Sequence, residues 1–425
     1  MRTKQYRWFL VMCLVLAASA VAAAETTIVF WHWDRADRHE KIRPLIDRFE
    51  EETGIRVEAQ MYPWAELAEK LIVGVAGGVA PDVVAVSFDR SAPLVFQGIY
   101  TDLRPFIEKE TEYDFDDLLP NALELWRTAD GMQFAFPYDL DLIGLFYNKT
   151  IFDTAGIPYP DESTTWAQTL EWARRFTVDR NGDGLPDQYG IANGHIALDT
   201  FVWAFGGELV TSDLRTHALG TPEARMGLEM WHDISQPDAN MAWGDATRFG
   251  YPHPPAAFAG GLIAMYPIGA YAPSAFWRDP DTGEWFVDFD MTLVPMGADG
   301  LRALPMNGQG MAIVSSSQNK EAAWEFIKFL ASHDVQVVSG RDLGQFPVLR
   351  SVAVSDAFIV PGEPPANKIA AVQSSMYARF HPVLPNWDRA WQTMRTTIAQ
   401  YVNNAMSLSN AIQTLDEVIP AILNP

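Results

Sequence analysis

Asp139 and Asp141 stand two residues apart, and a pair of carboxylates facing a cleft is all the local chemistry a glycoside hydrolase requires. The segment DRNGDGLPD at 179–187 places oxygen donors at Asp179, Asn181, Asp183 and Asp187, positions 1, 3, 5 and 9 of a calcium loop, with Gly184 at position 6 for the sharp turn. Position 12 is Gly190, so the bidentate carboxylate of a complete loop is missing. The same residues read as a tight Asx-rich turn that needs no metal, leaving a structural calcium ion and a bare turn as the two alternatives. Other chemistry is missing from the sequence. No stretch forms a phosphate-cradling Gly-rich loop, a dinucleotide fingerprint, a Gly-x-Ser-x-Gly elbow or a His pair at zinc spacing. The single cysteine, Cys13, falls in the apolar leader described next, which leaves the remainder without disulfides, thiolate metal ligands or thiol nucleophiles.

The elements that must position these residues follow a leader. Arg2, Lys4 and Arg7 precede an apolar run from Trp8 to Val21, and Ala22, Ala23 and Ala24 form a small-residue site before Glu25, the pattern of a cleaved secretory signal over residues 1–24, with a retained anchor over Trp8–Ala24 as the alternative. Met12 before Cys13 argues against lipidation there. Beyond the leader, a buried strand at Ile28–Trp31 precedes a helix carrying Ile42, Leu45, Ile46 and Phe49, with Gly54 at its C-terminal cap. Ile55, Val57 and Ala59 alternate as a strand, Leu67, Leu71 and Val75 return to helical spacing, and Val83–Val86 reads as a third strand. This order predicts an α/β lobe around a parallel sheet.

Farther on, Gln133–Pro137 and Ile143–Tyr147 read as extended runs separated by the polar tetrad Tyr138–Asp141. Thr165 and Gln168 form a capping box for a helix bearing Trp166, Leu170, Ala173 and Phe176. Residues 190–275 carry weak periodicity. The α/β pattern resumes with a strand at Met311–Val314, a helix at Lys320–Leu330 and two helices between Trp387 and Leu423.

The chain has 425 residues, enough for two or three lobes. Its 54 acidic against 31 basic residues leave a net charge of −23, and loss of the three leader cations deepens this to about −26. Such a surface repels nucleic acid and anionic membranes. Aromatic residues make up 12%, with 15 tryptophans, a surplus that packing or ligand stacking must account for.

Several segments together resemble one family: GVAPDVV at 78–84, GIYTDL at 98–103, FP at 136–137, GLFYNK at 144–149, TW at 165–166, FAGGLIAM at 258–265 with Gly269, GMAI at 310–313, NKEAAWEFI at 319–327 and GQFP at 344–347. In order and spacing they are similar to the extracellular solute-binding proteins of ABC importers, in the carbohydrate-binding branch that includes maltodextrin receptors. The resemblance implies a periplasmic-binding-protein type II fold, two α/β lobes joined by a multi-segment hinge with a ligand cleft between them. The lobes are expected at 25–138 plus 296–348 and at 139–295 plus 349–425. It also implies a non-enzymatic, monomeric receptor in the periplasm or an equivalent extracytoplasmic compartment. Such a receptor closes around a carbohydrate and delivers it to membrane permease subunits, with no cofactor required.

Ligands of open α/β sheets sit outside the carboxyl ends of strands. Position alone therefore nominates His32, Trp33 and Asp34 after the first strand, Gln60 after the second and Ser87 after the third, with Trp203, Asn307 and Gln309 placed by their loops. The resemblance adds Asp89 and Arg90 as binders of sugar hydroxyls, Asp141 as a ligand carboxylate with Asp139 as the alternative in a shifted register, and Tyr271 and Trp391 as stacking rings. Carboxylates and amides suit the hydroxyl edges of a sugar, and flat rings suit its C–H faces. Trp166, Trp231 and Trp324 are assigned to packing. Ala85 and Val86 stand where maltodextrin receptors carry an aromatic ring, a departure that argues against maltodextrin as the ligand. A receptor for a cationic or polyol-type solute and a secreted glycoside hydrolase stay as alternatives, the first because aromatic faces with carboxylates also suit ammonium groups.

Overall fold

The first apolar run forms β1 (Thr27–His32), and β2 (Arg56–Met61) lies parallel to it in register from Thr27 opposite Arg56 to His32 opposite Met61. This computed structural model describes residues 26–33, 36–342 and 344–424. The leader 1–24 with Cys13, and Asp34, lie outside the described residues, as does the side chain of Asp89. The helix Ala36–Thr53 turns its Ile42, Leu45, Ile46 and Phe49 inward, and Gly54 ends it at φ 70°, in the left-handed region that a residue with a Cβ resists. After the helix Trp64–Gly77, β3 (Val83–Ser87) pairs parallel with β1 on its other side. Asp82 locks this start of the sheet: its carboxylate accepts from the Val29 N–H at 2.9 Å and the Ser317 hydroxyl at 2.5 Å.

The polar tetrad is not a connector. Tyr138–Asp141 forms the second half of β4 (Phe136–Asp141), in which Tyr138 and Leu140 are buried while Asp139 and Asp141 emerge on the other face. The alternation has the strand period of two, and the mixture of types hides it. With Leu142 alone between, the chain enters β5 (Ile143–Asn148) of a second sheet, so the lobe crossing falls at the end of β4. That sheet also takes β6 (Tyr189–Ile191), β7 (Ile263–Gly269) and β8 (Phe289–Thr292), in the order β6-β7-β5-β8. A short strand, β9 (Leu304–Pro305), leads into β10 (Asn307–Ile313), which returns to the first sheet antiparallel between β3 and β4. The first sheet is thus ordered β2-β1-β3-β10-β4, mixed rather than wholly parallel, while β9 pairs with β11 (Ala378–Arg379).

Weak periodicity in 190–275 has a physical cause. All seven residues of the helix Leu198–Ala204 are buried, and a helix covered on every side shows no amphipathic stripe. Covering it are the helix Pro222–Ile234 and the C-terminal pair Trp387–Val402 and Leu408–Leu423, which share a core through Val202, Leu228, Met394, Ile398, Ile412 and Leu415. The helix Trp387–Val402 also packs against Phe88–Val95, the helix that follows β3. One C-terminal helix therefore reaches from the second sheet's side to the first, across the space between their strand ends. Among the described residues no helix is long and apolar enough to cross a membrane.

Candidate ligand-binding cleft

The strand ends face a cleft of about 1360 Å³, above the 300–1,000 Å³ usual for small-molecule sites. Ser87 of β3, Asp139 and Asp141 of β4, and Asn307 and Gln309 of β10 form one wall. The loop after β6, carrying Asn193 and His195, Asp199 in the first turn of the helix Leu198–Ala204, and Tyr271 just past β7 form the other, with Trp387, Trp391 and Arg395 of the helix Trp387–Val402 at the side.

The two carboxylates of β4 have separate tasks. Asp139 Oδ1 accepts from the Gln309 N–H at 2.8 Å and Oδ2 accepts from Gln345 Nε2 at 3.2 Å, so it fastens β10 and the 345–347 segment to β4. Asp141 instead lies 3.5 Å from His195 Nδ1, whose other nitrogen, Nε2, is 3.1 Å from the Tyr271 hydroxyl. Burial lowers the His195 pKa, but the hydrogen bond and charge of Asp141 outweigh it and leave the imidazole above its usual value. Burial, with the Asp141 charge behind it, pushes the Tyr271 phenol up, so it stays protonated.

Glycines permit this close assembly. A Cβ at Gly269 would overlap Asp141 Oδ1 and the Tyr271 ring, and one at Gly194 would overlap the Pro267 carbonyl, against which the His195 loop is pinned by an N–H bond of 3.1 Å. Asp141 Oδ1 itself is buried without a hydrogen-bond partner among the described residues.

A second polar–aromatic group occupies the side of the cleft. His381 Nε2 is 3.0 Å from Asp199 Oδ2, and the ring sits against Trp391 at 4.3 Å and Trp387 at 5.6 Å between centroids. The two indoles are nearly parallel, at 12°. On the opposite side the Arg90 guanidinium lies 4.0 Å over the exposed Trp64 ring, next to Trp33.

Residues 34–337 match the family described as bacterial extracellular solute-binding protein. The chain belongs to this family. A putative binding protein of Brucella abortus is 23% identical over 401 residues, spanning 92% of this chain and 90% of its own length. Among solved structures, an ABC substrate-binding protein of Listeria monocytogenes in complex with cycloalternan superposes with a TM-score of 0.78 at 20% identity, over 93% of this chain and 98% of that one. The sugar-binding protein MalE of Xanthomonas citri gives 0.77 at 22% identity, over 94% and 97%. The fold is therefore the type II periplasmic-binding-protein fold, two α/β lobes with a cleft between them.

In this solute-binding protein the cleft gathers Trp33, Ser87, Arg90, Asp139, Asp141, Tyr271, Asn307, Gln309 and Trp391 from the residues nominated by sequence. Three others lie elsewhere. His32 is buried in the first lobe, stacked on Phe30 at 4.9 Å, because the last residue of β1 points to the core face. Gln60 lies inside β2 rather than beyond it and is exposed, accepting from the Tyr62 hydroxyl. Trp203 packs into the C-terminal core at 4% exposure, its helix being buried on all sides. Trp166 and Trp324 are core residues as assigned, but Trp231 is half-buried and lines the cleft. His195 and Asp199 escaped sequence reading because β6 is three residues long, too short to show a period. Once that strand is known, the strand-end rule finds His195, whereas Asp199 belongs to the buried helix that follows. His381, by contrast, carries no local signal.

The acidic loop of the solute-binding protein closes on itself. Asp179 accepts from the Gly182 and Gly184 N–H groups at 2.7 and 2.8 Å, Asn181 from the Asp183 N–H, Asp183 from the Leu185 N–H, and Asp187 from the Arg180 and Asn181 N–H groups. Among the described residues no group of three or more His, Cys, Asp or Glu side chains is placed to hold a metal ion. Gly190, at the vacant twelfth position, is buried against the helix Trp166–Phe176, where a Cβ would overlap the Ala173 carbonyl, so no side chain fits there at all. A turn held by its own amides predicts one melting curve with and without EDTA, which is the expected outcome. A calcium loop predicts a lower midpoint in the chelator.

Proposed function

We propose that this chain is the capture subunit of an ABC importer for a neutral carbohydrate, exported by cleavage of its leader at residues 1–24, working as a monomer and presenting its closed form to permease subunits. The observation that carries the reading is the composition of the cleft. Acceptor-rich edges at Asp141, Asn193 and Asn307 stand between aromatic faces at Trp33 and Trp64 on one side and Tyr271 and Trp391 on the other. Hydroxyl edges and C–H faces of a sugar match that alternation. Several similar proteins are named for cycloalternan, tagatose, ribitol and erythritol, all neutral polyhydroxyl compounds, and others, matched over 38% of this chain, for sn-glycerol 3-phosphate.

Charge narrows the ligand. The cleft is lined by five carboxylate residues, Glu69, Asp139, Asp141, Asp199 and Asp388, against the guanidinium groups of Arg90 and Arg395, each beside an indole ring. A phosphorylated ligand needs converging cationic donors, so the balance supports a neutral ligand ahead of an sn-glycerol-3-phosphate-type one. Capture without hydrolysis agrees with the β4 carboxylates, since Asp139 is engaged by Gln309 and Gln345 and does not stand free opposite Asp141.

Calorimetry against cycloalternan, maltotriose, D-tagatose, ribitol, erythritol, sn-glycerol 3-phosphate and choline tests the proposal. At least one neutral carbohydrate is expected to bind stoichiometrically and to be recovered intact after prolonged incubation. Silence from every neutral member, or binding of glycerol phosphate or choline alone, sinks the carbohydrate reading. Release of hydrolysis products would move the protein to the glycosidase class.

A further inference from the structure

Three side chains from three separate elements form a chain of contacts that joins the two cleft walls: Asp141 at the end of β4, His195 in the loop after β6 and Tyr271 after β7. The carboxylate of Asp141 accepts only, so the neutral imidazole keeps its hydrogen on Nδ1, toward Asp141. Nε2 then holds a lone pair, and the Tyr271 hydroxyl must donate to it. On protonation Nε2 carries a hydrogen too, the Tyr271 oxygen accepts it, and the phenolic hydrogen swings free. One proton is exchanged with solvent at Nε2, and no other bond forms or breaks.

We propose that His195 is a positioning residue that sets the direction of the Tyr271 hydroxyl, so that the cleft offers a ligand a donor at Tyr271 when His195 is protonated and an acceptor when it is not. This rests on the reading above, in which Tyr271 touches the sugar. A ring or glycosidic oxygen can only accept, so a sugar held there through such an oxygen binds more tightly to the protonated form. The imidazolium also polarises the phenol it donates to, strengthening the outward bond.

The surroundings keep the relay isolated. Among the described residues, the titratable groups facing His195 are Asp141 and Tyr271, with Tyr266 of β7 facing Tyr271 and lying against Gly194; the loop of His195 contributes Asn193, whose N–H is bound to Asn240 and whose Nδ2 is bound to Ser235. Asp139 is engaged by Gln309 and Gln345, Asp199 by His381, while Arg90 lies over Trp64 and Arg395 beside Trp391. Asp141 holds the imidazole above its usual pKa against the effect of burial, which brings the switch toward neutral pH.

The test has two arms. In calorimetry from pH 5.5 to 9 with the tightest neutral sugar of the panel, wild-type affinity is expected to fall about fivefold, the worth of one neutral hydrogen bond, as pH rises through the His195 titration. Tyr271→Phe and His195→Gln are expected to give flat profiles. A wild-type slope that survives in Tyr271→Phe overturns the proposal. The second arm needs no ligand: the His195 ring protons are followed by NMR. The titration midpoint should lie above the ordinary histidine value in wild type and drop in both Asp141→Asn and Tyr271→Phe, and a midpoint indifferent to either variant overturns the relay. If no sugar in the panel binds at any pH, the functional reading fails in the first arm while the relay is still decided by the second.

Discussion

Asp141→Ala weakens sugar binding by about 10- to 150-fold, the 1.5–3 kcal/mol typical of a hydrogen bond to a charged group, and leaves the melting temperature nearly unchanged. The carboxylate lies in the cleft wall at the end of β4, with one oxygen beside His195 and the other pressed over Gly269 without a hydrogen-bond partner among the described residues. Its removal therefore disconnects the imidazole and, through it, Tyr271, but severs no bond that holds one strand to another. Asp139→Ala is the contrasting variant. It leaves the buried Gln309 N–H and the Gln345 amide without their acceptor, so the loss falls on stability, by about 1–3 kcal/mol. Calorimetry paired with thermal unfolding on both variants separates these roles. Full affinity in Asp141→Ala, or equal destabilisation by both, would falsify the division.

A large loss of stability from a single charge should come from Glu110, which is not among the cleft-lining residues. Its carboxylate meets Lys328 Nζ at 2.6 Å, the Glu112 N–H at 2.8 Å and Trp324 Nε1 at 3.3 Å. Burial raises its pKa, yet the Lys328 hydrogen bond, the Glu112 amide and the Lys328 charge prevail and bring it down to about 2. A depressed carboxylate contributes stability in full above its unfolded value and loses it as pH falls through the folded one. From an ordinary value of 4.5 to about 2, the contribution at neutral pH is on the order of 3 kcal/mol, and it fades between those two pH values. Glu110→Gln is thus expected to unfold at lower denaturant at pH 7, with the gap to wild type closing toward pH 2. A gap that is constant across that range would assign the loss to packing rather than to charge. Sugar affinity per folded molecule should be the same in both proteins.

How far the sequence carries depends on the distance over which each feature is specified. The cap at Gly54, the capping box of Thr165 and Gln168, and the inward face of Lys320–Leu330 are local patterns, and all are present in the structure. Leu198–Ala204 gave no such signal because a helix buried on every side has no polar face to set the period. The tetrad Tyr138–Asp141 reads as a connector because two carboxylates interrupt an apolar strand, and they do so where that strand reaches the cleft.

Residue order alone specified an α/β chain of strands and helices, an acidic protein with no cysteine past position 13, a resemblance to the family, and a strand-end rule that put Trp33 and Ser87 in the cleft but missed with His32 and Gln60. It could not choose between Asp139 and Asp141, since residues two apart share a strand face and differ only in what stands opposite. What sets them apart is partners far along the chain: Gln309 at 170 residues from Asp139, and His195, itself 76 residues from Tyr271. His381 and Asp199 are 182 residues apart and acquire their meaning only as neighbours in the second lobe. Periods of two and 3.6 record which face a residue shows, whereas the partner met on that face is set by how the two sheets and the C-terminal helix pack together.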